Sequence, residues 1–164
     1  MKTLNLIKTL CYAVENQTRF ACQDITEEDS HWRPNTESPA IGWLVGHIIC
    51  LHDIMASHRV CENPILFEDL NDDFGFGSTG NFPKKYNLEE LFLKFKELNS
   101  AIVSVISTKD DDWLDEMFDT TGFPPNWQNK NRGKGFVLAV NHGIAHSGQI
   151  FEIKRMLGKG AWGF

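Results

Sequence analysis

The amino-acid sequence predicts an all-α protein, a four-helix bundle with two long connections and no significant sheet. Three observations carry that prediction. Four separate segments repeat apolar residues mostly at three- and four-residue spacing, the signature of a helix with one buried face. No segment reads as a convincing strand. Two stretches rich in glycine, proline and asparagine, within residues 64–87 and 120–135, break the helical pattern and read as long loops.

The first helix is expected over residues 3–22, where Leu4, Ile7, Leu10, Cys11, Val14, Thr18 and Ala21 make one stripe. A charged connector with a proline follows. The second helix should start at Ser38 as N-cap with Pro39 in its first turn. It runs through the nearly continuous apolar stretch PAIGWLVGHIICLHDIMASHRV and should be the most buried of the four. The third is expected over residues 87–107, with Asn87 as N-cap and Glu90 three residues on in a capping-box-like pattern. The last should run over residues 135–157 and stop at Gly158, a C′ glycine, with Lys154 and Arg155 complementing the helix dipole in its final turn. Four amphipathic helices of this kind bury their stripes against one another as a bundle.

With 41% apolar and 23% charged residues, the composition is that of an ordinary globular protein. A length of 164 residues suits a single domain over residues 1–164. The formal net charge of −6 weighs against nucleic-acid binding and against docking on an anionic membrane surface. Lys8 interrupts the N-terminal apolar run, so no secretory signal is read there. No stretch approaches the ~20 apolar residues of a membrane-spanning helix. The expectation is therefore a cytoplasmic protein. Cys11, Cys22, Cys50 and Cys61 form no CxxC pair and are expected to be reduced and buried.

The chemistry concentrates in the histidines. His142 and His146 are four residues apart in the last helix, which puts both rings on one face with Cβ atoms about 5–6 Å apart. Gly143 follows His142 where a metalloprotease HExxH helix has its glutamate, so the protease reading fails. A metal site needs at least one further ligand, and His47 in the most apolar helix is the best candidate. A lone buried ring without a partner costs about 1–3 kcal/mol, a cost that a shared metal ion removes for His47, His142 and His146 together. Cys50, three residues after His47, is either core packing or a fourth ligand that closes the site. Gln149 either hydrogen-bonds near the metal, lines a pocket, or is an ordinary surface residue. Asp53 lies about 240° around the helix from His47 and receives no role. His52, about 140° away, and His58, about 16 Å further along the axis, are expected at the periphery, and His31 in solvent. Trp43 should pack in or beside the core. Phe74, Phe76 and Phe82 should seal the core beneath the first long loop, or else roof a pocket. Trp162, in the apolar tail, is expected across a helix end or a partner chain.

These pieces resemble the DinB-like (DinB/YfiT) superfamily. The carriers of the likeness are SPAIGWLVGHIICLHDIM and, about a hundred residues later, NHGIAHSGQIFEIKRMLG. Trp43, Leu44, Gly46 and His47 match the pattern W-L-x-G-H. His142, His146, Gly148, Gln149 and Ile150 match H-x-x-x-H-x-G-Q-I, with Gly158 after them. The resemblance implies a four-helix bundle, a three-histidine metal site at His47, His142 and His146, and a divalent metal ion, nickel or zinc above all. Some relatives are transferases that use a low-molecular-weight thiol and others have an isomerase role. It thus implies a metal-dependent transferase that activates a small thiol against an electrophilic substrate. The alternatives are a non-catalytic stress-response or binding bundle with a structural or vestigial metal site, and a metal-hydroxide hydrolase. Pairing into a homodimer is compatible with all three.

Overall fold

The computed structural model describes residues 3–160. Four long helices make the bundle. These are α1 (Thr3–Ala21), α3 (Ile41–His52) with its π-helical continuation Asp53–Val60, α5 (Leu88–Ile106) and α6 (Arg132–Met156). Helices α1 and α3 each pack against both α5 and α6. Two short helices, α2 (Glu27–His31) and α4 (Glu68–Phe74), sit in the connections and lie against α3. Two 3-10 turns, Asp111–Asp115 and Pro125–Trp127, lie in the last connection. Among the described residues the one strand-like feature is an isolated antiparallel bridge between Met117 and Asn131. No described helix is long and apolar enough to cross a membrane.

The stripe of α1 is buried as expected, from Leu4 through Val14 to Ala21. The stripe of α5 is buried likewise, and the Asn87 side chain accepts the Glu90 N–H at its start. Helix α3 is buried all round, eleven of its twelve residues falling inside, enclosed by α2, α4, α5 and α6. Gly158 ends α6 with φ +73°, the left-handed C′ position that glycine adopts at no steric cost. All four cysteines are buried and unpaired. Trp162 falls outside the described residues.

Two helix starts differ from the expectation. Helix α3 begins at Ile41, after Ala40 in extended conformation with no side-chain cap. Pro39 has no N–H to offer, and the Ala40 N–H donates to Gly80 O at 2.8 Å. The first long loop therefore holds the helix start in place of Ser38. Helix α6 starts three residues early, at Arg132, because the Asn131 side chain accepts the Lys134 N–H and caps it there. Gly133 and Gly135 weaken the helical pattern in sequence. In space, a Cβ on Gly135 would lie 2.6 Å from Val60 Cγ2, so the glycine lets α6 approach the end of the π-helix.

His52 was expected at the periphery and is instead 1% exposed, its ring edge-on to Phe95 at 5.8 Å. The angular argument failed because it presumes a helix with a free face, and α3 has none. His31 is half-buried, with Nδ1 3.0 Å from Phe82 O and Nε2 3.0 Å from Glu27 Oε1, because the first long loop folds back over α2. His58 is half-buried too, on the π-helix.

Candidate metal centre

His47 stands midway along α3, only 4% exposed. Two glycines make its surroundings. A Cβ on Gly42 would lie 2.2 Å from the Phe82 ring, and one on Gly46 would lie 2.5 Å from the Phe74 ring. Both phenylalanines press onto bare helix backbone and are buried, as the sealing role expected of them requires. Their docking brings the carbonyl of Phe74, the last residue of α4, to 2.6 Å from His47 Nδ1. A carbonyl can only accept, so Nδ1 carries the proton and Nε2 keeps its lone pair.

Helix α6 supplies the other two rings. Antiparallel packing against α3 brings His142 to 5.0 Å and His146 to 4.9 Å from His47, centroid to centroid. Close approach of α1 helps to set α6 there, since a Cβ on Gly143 would meet Val14 Cγ1 at 2.4 Å. His146 Nδ1 lies 2.6 Å from Gln149 Oε1, an acceptor, so this ring also turns a bare Nε2 inward. His146 Nε2 and His142 Nε2 are 3.0 Å apart, close enough to share one proton. One donor atom from each of the three histidines lies within 4.8 Å of the other two. Ligands at 2.0–2.1 Å around a tetrahedral ion are about 3.3 Å apart. Small ring rotations therefore bring the three nitrogens to coordinating distance, and a metal ion would replace the proton between His142 and His146. His142 Nδ1 is buried with no hydrogen-bond partner among the described residues.

Burial holds His47 below the usual histidine range, against the pull of the Phe74 carbonyl, and the His146 charge adds to the effect. Burial together with the neighbouring histidines lowers His142 to about 3. Both rings are therefore neutral near pH 7, the form in which imidazole ligates a metal.

Cys50 does not join this cluster. Its thiol is 4.0 Å from Asn71 Oδ1 and faces a separate cavity, and burial pushes it up to about 12. The closed site of three histidines and a cysteine is thus not what the chain builds. Among the described residues no carboxylate joins the three rings either.

The walls are aromatic. Trp43 stacks on His47 at 4.6 Å and 12°, held by donating Nε1–H to Asp73 O and Ser78 Oγ at 3.1 and 3.0 Å. Phe76 stands edge-on to His47 at 5.7 Å and is 74% exposed. It therefore belongs to the mouth of the site and departs from the sealing role of Phe74 and Phe82. Trp127, from the second long loop, is edge-on to His142 at 6.4 Å. Neither the Phe74 carbonyl nor Trp127 was singled out from sequence. A backbone oxygen leaves no residue signature, and the spacing of Gly42 and Gly46 was the one visible trace of the docking that places it. Gly148 has open space around a would-be Cβ, and nothing in the structure explains a glycine there.

The sequence profile of the DinB superfamily matches residues 11–150, a span that holds all three histidines. A solved structure of a conserved protein from Enterococcus faecalis is similar over 97% of this chain and 99% of that chain, with a TM-score of 0.75 at 16% identity. That likeness carries the fold alone. No curated protein matches the chain. The chain belongs to the DinB superfamily.

Proposed function

We propose that this DinB-superfamily chain is a divalent-metal-dependent enzyme that activates a low-molecular-weight thiol for transfer to an electrophilic substrate, with His47, His142 and His146 as the metal ligands. The observation that carries the reading is the aim of the rings. His47 and His146 each have Nδ1 engaged by an acceptor, Phe74 O and Gln149 Oε1, so that both Nε2 lone pairs face the same small volume as His142 Nε2. Such partners are the usual companions of metal-bound histidine, fixing tautomer and orientation.

A divalent ion held by three neutral imidazoles keeps its full charge and favours the deprotonated form of a thiol or water beside it. The chain's own residues supply the frame for that chemistry. Trp43 stops the His47 ring from turning. Phe76 and Trp127 offer apolar edges to a bound substrate and reduce the water around it. With Cys50 turned away, the site keeps room for an external thiol. The metal is expected to be nickel or zinc, and the protein to act in the cytoplasm.

The test is a cobalt-substituted sample. A thiolate-to-cobalt charge-transfer band that appears only when a small thiol is added supports the proposal. A strong band without added thiol would mean that a cysteine of the chain is bound. Turnover of an ester or amide without any thiol would mean hydrolysis.

A further inference from the structure

The helix that carries His47 also lines a second cavity, of about 250 Å³, half a helix further on. Its wall includes the π-helical segment Asp53–Val60 and the chain from Ile65 to Asn71. π-Helical turns are rare and recur at functional sites. Here the segment starts at Asp53, which is 1% exposed. Asp53 Oδ2 accepts the N–H groups of Leu66 and Phe67, both at 2.9 Å. Its Oδ1 has no hydrogen-bond partner among the described residues. A buried carboxylate oxygen left unmatched is costly.

Two of the other polar groups of this cavity, His58 and Glu68, also turn acceptors to it, beside the donors of Arg59, Asn71 and Cys50. His58 Nδ1 donates to Asn63 O at 2.8 Å, which leaves Nε2 as a lone pair. Glu68 lines the cavity and forms no ion pair among the described residues. Arg59, a cation on the wall, is committed to Asp119 at 2.6 Å and to the face of Phe123. Ile54, Ile65 and Phe67 supply the apolar part of the wall, and Cys50 and Asn71, joined thiol to amide oxygen, complete it. The acceptors do not converge as metal ligands do, for among the described residues the three histidines are the one group of such donors within reach of a single ion. Acceptors spread around an apolar wall match a ligand with a donor-bearing positive head and a short hydrocarbon body.

We propose that this cavity binds a small aliphatic primary ammonium compound, with its head group on Asp53 and Glu68 and its chain against Ile54, Ile65 and Phe67. The site is distinct from the metal centre and does not depend on the reading given to it.

Amide chemical-shift titration of the full chain tests this with n-butylammonium as probe, and 1-butanol and butyrate as its uncharged and anionic counterparts. Saturable shifts confined to residues 53–71 for the ammonium alone support the proposal. Asp53→Asn keeps an oxygen for the Leu66 and Phe67 amides while removing the charge, and should weaken binding at least tenfold. Glu68→Gln, on the exposed rim, should weaken it two- to fivefold without touching the fold. His142→Ala should leave the titration unchanged. Equal binding of 1-butanol, unchanged affinity in both carboxylate variants, shifts centred on the three histidines, or no saturable shift would each overturn it.

Discussion

One continuous helix carries two polar sites of opposite design. At His47 the Nδ1 atoms of two rings are engaged by acceptors, and three nitrogens point at one small volume. At Asp53, about half a helix later, the acceptors are spread around a larger cavity and one carboxylate oxygen has no partner. The difference shows what convergence does. Three imidazole nitrogens aimed at one spot suit a single ion, whereas dispersed acceptors beside apolar side chains suit an organic cation. The first site is prepared by close packing, Gly42 and Gly46 admitting two phenylalanine rings. The second opens where the α-helix gives way to π-helix.

The largest expected effect comes from removing convergence itself. His142→Ala should abolish stoichiometric metal binding, a loss beyond the roughly 10–100-fold that outer partners contribute, as read by metal analysis after dialysis. Asp53→Asn should leave that stoichiometry at one per chain.

Buried His52 offers the next contrast, since it belongs to neither site. Burial holds it down to about 4 from 6.5, so the unfolded chain takes up a proton before the folded one does. Its contribution is whole above pH 6.5 and is lost as the pH falls towards 4. That shift corresponds to about 3 kcal/mol in all, of which about 2 kcal/mol should be lost between pH 8 and pH 5. Urea unfolding of the metal-free protein should show His52→Leu less sensitive to that pH change by this amount. Equal sensitivity would show that His52 titrates alike in both states.

Gly46→Ala should cost about 1–3 kcal/mol, the usual range for overpacking, because its Cβ would lie 2.5 Å from the Phe74 ring. It should also weaken metal binding, since the Phe74 carbonyl moves with its ring. A variant that loses stability but keeps full metal affinity would show that this carbonyl does not orient His47. The smallest change is Gln149→Ala on the exposed face of α6. It should lower metal affinity about 10–100-fold with thermal stability of the metal-free chain unaltered. Gln149→Glu, which keeps an acceptor for His146 Nδ1, should restore most of the loss.

The bundle was legible because its signals are local. The α5 stripe with its Asn87 cap, and Gly158 closing α6, can be read within one turn of helix. The pair His142 and His146 was legible for the same reason, as a spacing on one face. His47 stood out only as a histidine in the most apolar helix, and the likeness of its W-L-x-G-H surroundings reinforced it, since nothing local says which distant helix it meets. What escaped the sequence depends on packing between segments. The start of α3 follows from the Ala40–Gly80 bond and not from Ser38. Cys50 points to Asn71 although its spacing from His47 suggested a shared site. His52 is buried because α3 is enclosed. The π-helical turn and the unpartnered Asp53 oxygen have no residue-level signature, and Asp53 was given no role on angle alone.

The most direct test of the central claim is metal analysis of the chain purified without chelator, followed by addition of zinc or nickel to the apo protein. One tightly bound divalent ion per chain, absent from His142→Ala, is the predicted result. No ion as purified and none taken up on addition would contradict it.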